Sequence, residues 1–285
     1  MISTGFEYSR ATSLDDALAK LRAANGQAKL LAGGHSLVPL MKLRLSEPKS
    51  LIDISRIPEL SGIRAKDDTI EIGAGTVHHD VATSSLLRQD CPMLADAAAT
   101  IGDPQVRNRG TLGGSLAHAD PAADYPAVML ALDAEIQVKG SKGSRVVKAH
   151  EFFIGLFTVN LAADEIITGV RFKPVKAGAY AKLYQRASHF AIVGVAAALD
   201  VSGGVIRSAR IGLTGASSHA MRLTGVEEGL AGKPLSRSSI QAAAQLVGAK
   251  LKDINSDIHA SEEYRRAMVP VFTERALAGA LARAT

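Results

Sequence analysis

The chain has one cysteine, no tryptophan and few aromatic residues, and each scarcity excludes a class of function. Cys91 is the only cysteine among 285 residues, so the chain cannot form an internal disulfide or supply the several thiolates that an iron–sulfur cluster requires. Aromatic residues make up 4% of the sequence. No basic patch is interleaved with them, which argues against nucleic-acid binding despite the net charge of +5. We expect Cys91 to be a packing residue at the start of a helix.

The sequence also lacks the hydrophobic segments that direct a protein to a membrane. The N-terminal residues MISTGFEYSR contain neither a basic region nor an apolar stretch, so no signal peptide is predicted. No apolar run approaches the roughly 20 residues of a membrane span. We therefore expect a cytoplasmic protein without a transmembrane segment.

Several common catalytic and nucleotide-binding motifs are missing as well. Neither the G-x-G-x-x-G fingerprint of Rossmann folds nor the G-x-x-x-x-G-K-[ST] phosphate loop occurs. A G-x-S-x-G nucleophile elbow is also missing, so a serine hydrolase is not indicated. His78, His79 and Asp80 are adjacent, but neighbouring residues on a helix point in different directions, and no further ligand cluster lies nearby. We predict no catalytic residue and no metal site.

Three glycine-rich turns occur in the first half of the chain. They are Gly33-Gly34-His35-Ser36, Gly73-Ala74-Gly75-Thr76 and Thr111-Leu112-Gly113-Gly114-Ser115. Glycine allows positive φ and close backbone approach, and Ser and Thr add hydroxyl donors, so such turns suit an anion. His35 either contacts a phosphate or a ring, or orders its loop by a hydrogen bond. A tight surface turn is the alternative for any one of them alone, but their recurrence favours a phosphate- or pyrophosphate-binding site.

The segment 100–126, which carries the third turn, is rich in Gly, Pro, Asp and Asn. This composition predicts a long functional loop rather than a helix or a central strand. Arg107 and Arg109 either offset phosphate charge or form a solvated pair. Asp120 is expected to cap the loop, and Asp124 is a candidate acceptor for a heterocycle N–H or a ribityl hydroxyl.

Hydrophobic periodicity predicts mixed helices and strands, with a candidate domain boundary in the Pro/Gly stretch 174–178. The expected helices are 14–24 (with Ser13 as N-cap), 37–45, 77–87, 93–99, 127–132, 226–230, 238–251 and 261–284. The expected strands are 28–32, 51–54, 69–72, a hairpin of 134–138 and 144–148, 165–172, 180–184, 194–201 and 205–213, the last two joined by a turn at Gly203-Gly204.

Two of the turns, with their flanking residues, resemble the motifs of a known family. They are Ala32-Gly33-Gly34-His35-Ser36-Leu37-Val38-Pro39 and Thr111-Leu112-Gly113-Gly114-Ser115. In these segments the chain resembles the FAD-binding medium subunit of molybdenum hydroxylases, the group of aerobic carbon monoxide dehydrogenase and xanthine dehydrogenase. The resemblance covers nearly the whole chain and includes segments 101–110, 119–124 and 182–193.

The resemblance implies an α+β fold with two domains. The first, residues 1–175, is an FAD-binding domain of the vanillyl-alcohol-oxidase (PCMH) type, with subdomains of about 1–57 and 58–175. The second, residues 176–285, is a smaller C-terminal α+β domain of the CO-dehydrogenase-flavoprotein type, with a three-stranded sheet and helices.

The cofactor that the resemblance implies is non-covalently bound FAD, with its pyrophosphate held by the two turns. No catalytic residue and no metal ligand is implied in this chain. The residues carried over as FAD contacts are Ala32, Gly33, Gly34, His35, Ser36, Thr111, Gly114, Ser115 and Asp124, with Lys182 and Tyr184 near the isoalloxazine ring.

The function that the resemblance implies is electron transfer within a larger enzyme. A large partner subunit with a molybdenum cofactor and a small partner with [2Fe–2S] clusters are expected, in a dimer of heterotrimers. The chain accepts electrons from those clusters and passes them to an acceptor, which the sequence leaves open among quinone, O₂ and NAD. The substrate of the complex also stays open. The alternatives are a self-contained FAD-dependent oxidase and a non-catalytic assembly module.

Overall fold

The computed structural model describes residues 2–247 and 251–284, and it begins with a small parallel sheet. The sheet has the strand order β1-β3-β2, and both strand pairs are parallel. Ser13 caps the first helix as predicted, because its side chain accepts the N–H of Asp16. The first strand is not among the predicted ones. The elements are β1 (Glu7–Arg10), α1 (Leu14–Ala23), β2 (Ala28–Leu31), α2 (Leu37–Lys42) and β3 (Ser50–Asp53).

A five-stranded antiparallel sheet and a group of short helices follow. The sheet has the order β4-β5-β10-β6-β7, and β8 and β9 form a separate pair. The predicted hairpin at 134–148 is confirmed as β6 and β7. The elements are β4 (Ile63–Lys66), β5 (Thr69–Gly73), α3 (His78–Thr83), α4 (Ser85–Asp90), α5 (Pro92–Ala99), α6 (Pro104–Arg107), α7 (Leu112–His118), α8 (Asp124–Ala131), β6 (Glu135–Gly140), β7 (Gly143–Lys148), α9 (Ala149–Phe152), β8 (Phe153–Gly155), β9 (Thr158–Val159) and β10 (Ile166–Phe172).

The C-terminal part has the predicted three strands, with a turn in which Gly203 and Gly204 have φ of +59° and +74°. A two-residue fourth strand extends the sheet beyond the three strands that the sequence predicts. Within residues 2–247 and 251–284, no helix is both long and apolar enough to cross a membrane. The elements are β11 (Gly178–Tyr184), β12 (Ala191–Ser202), β13 (Val205–Thr214), β14 (Met221–Arg222), α10 (Thr224–Leu230), α11 (Arg237–Ala244) and α12 (Glu262–Ala284), with the antiparallel order β11-β12-β13-β14.

Segment 100–126 is not the long loop that its composition predicts. Three helices, α6, α7 and the start of α8, occupy about half of it. Asp103 accepts the N–H of Val106, and Pro104 takes the first helical position. Thr111 caps α7 in the same way. Asp, Thr and Pro destabilise the interior of a helix but are favoured where a helix starts. Their frequency in this segment therefore reflects helix starts rather than one long loop.

Two predicted helices are interrupted or end early, and a third, predicted for 37–45, ends at Lys42. The helix predicted for 77–87 is interrupted at Ser84, which caps α4 through its side chain. The helix predicted for 238–251 ends at Ala244 and continues as a short 3₁₀ turn. Residues 248–250 of that prediction lie outside the described residues. In the first case a local side-chain cap competes with the continuous helix.

The two halves of the chain pack together along α8, whose eight residues are all buried. Gly212 on β13 lies so close that a Cβ there would be 2.0 Å from the Ala127 carbonyl oxygen. Arg210 on the same strand donates from Nε to the Ala131 carbonyl at 2.9 Å. The halves therefore meet through close backbone contact rather than through a loose surface.

Cys91 is a packing residue, as predicted. It is fully buried and stands at the N-cap of α5. Burial raises the pKa of its thiol to about 12. A thiol held protonated in this way is a poor nucleophile, so Cys91 contributes packing rather than chemistry.

Candidate functional site

The three glycine-rich turns, which are distant in sequence, meet at one place. A Cβ on Gly33 would lie 2.2 Å from the Arg109 carbonyl oxygen, so the first turn touches the backbone just before the third. A Cβ on Gly113 would lie 2.5 Å from the Cβ of Ala74, and the Gly113 N–H donates to the Ala74 carbonyl at 2.7 Å. Only glycine fits such contacts. These glycines therefore bring the turns together.

The first turn presents backbone donors that the fold does not use. The N–H groups of Gly33, Gly34, His35 and Ser36 donate to no acceptor within residues 2–247 and 251–284. Gly34 has φ of +80°, and a positive φ is a feature of anion-binding nests. Ser36 precedes α2 without making a side-chain capping bond. The turn thus offers four N–H groups and a hydroxyl to a ligand.

The third turn differs, because α7 begins inside it and the fold uses its N–H groups. It offers a ligand the surface of Gly114 and the hydroxyl of Ser115 rather than free backbone donors. The four N–H bonds run from Leu112 to the Thr76 carbonyl (3.0 Å), from Gly113 to the Ala74 carbonyl (2.7 Å), from Gly114 to Thr111 Oγ1 (3.1 Å) and from Ser115 to the Thr111 carbonyl (3.1 Å).

A buried histidine lies at the place where the turns meet. His78 at the start of α3 is buried, with its Nδ1 3.1 Å from the Tyr125 hydroxyl, and its backbone N–H donates to the Gly110 carbonyl at 2.9 Å. Burial, followed by the charges of His35 and Arg107, lowers the pKa of His78 to about 4. His35 and Arg107 therefore lie close enough to act on His78, and the fixed charge of the Arg107 guanidinium favours an anion in this region.

The two arginines between the turns have different roles. Arg107 donates from Nη1 to the carbonyls of Ile101 and Gly102, each at 2.9 Å. Arg109 is exposed, and its carbonyl forms the contact with Gly33. They are thus not a simple solvated pair, since one orders its own segment and the other supports the first turn.

Asp124 lies in the interior at the junction of the two halves. It is 4% exposed, and its Oδ1 accepts from the Tyr180 hydroxyl at 2.5 Å. Lys182 Nζ donates to Oδ2 at 2.9 Å and also to the Thr100 carbonyl at 3.1 Å. Burial raises the pKa of the Asp124 carboxyl, and the Lys182 ammonium and the Tyr180 hydroxyl oppose that rise. Sequence reasoning named Asp124 and Lys182 separately and missed that they pair. The cofactor contacts of both stay a prediction.

Tyr184 is 52% exposed and lies at the edge between the two halves. Its ring packs edge-to-face on His189, with centroids 5.4 Å apart. His189 has φ of +60°, and its Nδ1 is 2.9 Å from the Gly102 carbonyl. The strand end that carries Tyr184 is therefore tied to the segment between the turns.

A cavity of about 340 Å³, which we call the seam pocket, opens between the two halves. Phe157 of the first half and Phe190 of the second half both line it, and they are 51% and 48% exposed. Phe157 has φ of +49°, and its ring lies 5.1 Å from that of His118, so α7 connects the third turn with this pocket. Sequence reasoning missed the pocket. The available signal was the apolar pair Leu156-Phe157 within a turn.

Asp120 and the residues His78, His79 and Asp80, which the sequence analysis singled out, have no catalytic or metal-binding arrangement within the described residues. Asp120 caps its loop as predicted, because Oδ1 accepts the N–H of Ala122 at 2.8 Å. His78 faces the interior, whereas His79 and Asp80 lie on the surface. In the part of the chain that the structure describes, no group of three or more His, Cys, Asp or Glu residues is placed to hold a metal ion.

The chain matches two family models in succession. Residues 4–174 match the FAD binding domain in molybdopterin dehydrogenase. Residues 178–280 match the CO dehydrogenase flavoprotein C-terminal domain. Together the two models extend over nearly all of the sequence.

Individual known proteins are similar along their full length. The carbon monoxide dehydrogenase medium chain of Hydrogenophaga pseudoflava is 41% identical, with 99% of each chain covered. The 6-hydroxypseudooxynicotine dehydrogenase complex subunit alpha of Paenarthrobacter nicotinovorans is 40% identical, with 98% of this chain and 95% of the relative covered. A solved structure of the H. pseudoflava carbon monoxide dehydrogenase, in a form that lacks the Mo-pyranopterin moiety of the molybdenum cofactor, matches with a TM-score of 0.95 at 41% identity over 99% of both chains.

Proposed function

Because the chain belongs to the FAD-binding medium subunits of molybdenum hydroxylases, we propose that it accepts electrons from the [2Fe–2S] clusters of a partner subunit and passes them to an external acceptor. The chain is an oxidoreductase subunit, and molybdenum and iron–sulfur cofactors belong to partner subunits in this family. FAD, when bound, supplies a centre that takes up electrons singly and stores two. We place the boundary between its two domains at residues 175 and 176.

The observation that carries the proposal is the meeting of the glycine-rich turns. The first turn holds four unused N–H groups and the Ser36 hydroxyl, and His35 and Arg107 lie close by. Such a donor set fits the two negative charges of a pyrophosphate. The residues that would hold the FAD diphosphate are those of segment 32–36, together with the surface of Gly114 and the Ser115 hydroxyl.

The seam pocket is our candidate for the place of the flavin ring. The pocket lies near the C-terminal end of α7, whereas the third turn forms the N-terminal end of that helix. Phe157 and Phe190 form apolar walls that suit a planar ring. Tyr184 lies one residue from the pocket wall. Lys182 acts from the interior, where its bond to Asp124 orders β11 against α8.

Titration of the purified, flavin-free chain with FAD tests the proposal. We expect a 1:1 complex, with quenched flavin fluorescence and flavin released on acid denaturation because the bond is non-covalent. FMN is the matched control ligand, since it has the same ring but lacks the pyrophosphate. The proposal requires FAD to bind far more tightly than FMN. A chain that binds neither contradicts it.

The partner subunits are tested by co-expression with the genes that flank this one. We propose a dimer of heterotrimers, and the mass of the purified complex measures the stoichiometry. Reduction of flavin by substrate in the isolated chain would instead indicate a self-contained oxidase. Complex formation by a chain that never binds FAD would indicate an assembly module.

A further inference from the structure

Arg265 on α12 is a buried guanidinium that lines the seam pocket. It is 3% exposed. Its Nη1 donates to two backbone carbonyls, Ile192 at 2.7 Å and Gly215 at 2.8 Å. Its Nη2 donates to Asp257 Oδ2 at 2.5 Å. One side chain thus joins three segments that are distant in sequence.

On the outer side, this network ends in a surface turn formed by residues 257–260. The Asp257 side chain is 46% exposed, and its Oδ1 accepts the N–H groups of His259 at 2.8 Å and Ala260 at 3.0 Å. Ile258 at the apex of the turn is 95% exposed. The carboxylate therefore holds the shape of the turn with one oxygen and the buried guanidinium with the other.

On the inner side, the network reaches the first domain. Gly215, whose carbonyl accepts from the guanidinium, donates its N–H to the Pro121 carbonyl at 2.7 Å. Ala191, which precedes Ile192, donates its N–H to the Ala122 carbonyl at 3.1 Å. All of these residues line the seam pocket. A continuous series of hydrogen bonds therefore runs from the surface turn to the opposite wall of the pocket.

The hydrogen bonding of the Arg265 side chain does not maximise the stability of the fold. Its Nε is buried and has no acceptor within residues 2–247 and 251–284. An unsatisfied buried donor lowers stability. A lysine has no planar fork and cannot reach both carbonyls and the carboxylate together.

We infer that Arg265 is a positioning residue that couples the surface turn 257–260 to the walls of the seam pocket. The guanidinium holds the peptides at Ile192 and Gly215 in place, and Asp257 holds the guanidinium. A change in the turn is thereby transmitted to the pocket. The effect on flavin rests on the proposed function, but the coupling itself does not.

Hydrogen exchange in the flavin-free chain tests the coupling directly. Asp257→Asn keeps an oxygen for the N–H groups of the turn but removes the charge that holds the guanidinium. We expect faster exchange of the N–H groups of Gly215 and Ala191, on the far side of Arg265, in addition to those of His259 and Ala260. Faster exchange confined to the turn would overturn the inference.

Flavin binding provides the second readout. Arg265→Lys should weaken FAD binding about tenfold, the range of ordinary coupling energies, and shift the visible circular dichroism of the bound flavin. Arg222→Lys is the matched control, because Arg222 pairs in a similar way with Glu227 (2.5 and 2.7 Å) but does not line the pocket. The control should lower the melting temperature and leave FAD affinity and circular dichroism unchanged.

The outcomes separate this inference from the proposed function. If the wild-type chain binds no FAD, the proposed function fails, and the exchange experiment still tests the coupling. If wild type binds FAD and both arginine variants alter it equally, Arg265 has only a general structural role and the inference fails alone.

Discussion

In the turn at 33–36 the backbone N–H groups find no acceptor among the described residues, whereas in the turn at 112–115 all four donate within the protein. Both turns contain adjacent glycines followed by a serine within two residues. The acceptors of the second set come from the turn at 73–76 and from Thr111. The fold therefore leaves the N–H donors of the first turn unused and employs those of the other.

A glycine substitution in either turn tests the packing of the protein as well as the binding of a ligand. Gly33 and Gly113 both face protein atoms at distances that no side chain tolerates. Replacing either one disturbs the contact between turns before any ligand is involved. Hydroxyl substitutions distinguish the turns better, because Thr111 Oγ1 has a partner in the fold and the Ser36 hydroxyl does not cap its helix.

The largest expected effect concerns His78, whose backbone N–H donates to the carbonyl of Gly110, just before the 112–115 turn. Because burial lowers its pKa to about 4, the unfolded chain binds a proton before the folded chain does as the pH falls. The resulting loss of stability is absent above about pH 6.5 and reaches about 3 kcal/mol near pH 4. His78→Asn keeps a polar partner for the Tyr125 hydroxyl and should escape this loss. Urea unfolding of both proteins between pH 7 and pH 4 measures the difference, and equal losses would refute the buried, neutral imidazole.

Gly33→Ala should destabilise the flavin-free chain by about 2 kcal/mol, as overpacking does. Its Cβ would lie 2.2 Å from the Arg109 carbonyl oxygen. Gly5→Ala is the matched control, because a Cβ there meets nothing within 4 Å. Thermal unfolding compares the two variants. Equal melting temperatures would mean that the turns do not touch as described.

Thr111→Val should cost about 1 kcal/mol, because α7 loses the side-chain cap to the Gly114 N–H. The substitution keeps the shape of the side chain, so packing changes little. Chemical denaturation of the flavin-free chain measures the loss. If stability is unchanged, the fold does not depend on this cap, and the contrast between the turns weakens.

Ser36→Ala should change the stability of the flavin-free chain by less than about 0.5 kcal/mol, because no capping bond is lost. FAD affinity should nevertheless fall about tenfold, as expected when a hydrogen bond to a charged group is removed. Thr111→Val serves as the opposite case, with lower stability and a smaller effect on affinity. A Ser36→Ala chain that binds FAD normally would remove this hydroxyl from the site.

Sequence patterns predicted the elements that short-range signals specify. The hairpin at 134–148 and the paired strands around Gly203-Gly204 are confirmed, because alternating apolar residues and turn glycines act over a few residues. Segment 100–126 was wrongly predicted as a loop, since the same residues that break helices also begin them. Two of the three helices there, α6 and α7, begin at side-chain caps that a composition count does not distinguish.

The candidate site was predictable only in part. The motifs at 32–36 and 111–115 indicated the turns and the family. The pairing of Asp124 with Lys182, the seam pocket and the role of Arg265 were not predictable, because each joins residues that are far apart in sequence and carry no shared pattern.

The sequence by itself determined the family, the cofactor class and the positions of the glycine-rich turns, because these depend on residue types at fixed spacing. Only the tertiary structure decided which of the two turns has its N–H groups bonded within the protein. The carbonyls of Ala74 and Thr76 take the donors of 112 and 113 once the segments are brought together. Whether a backbone donor is free depends on which acceptors the fold places beside it, and that is a property of packing rather than of the motif.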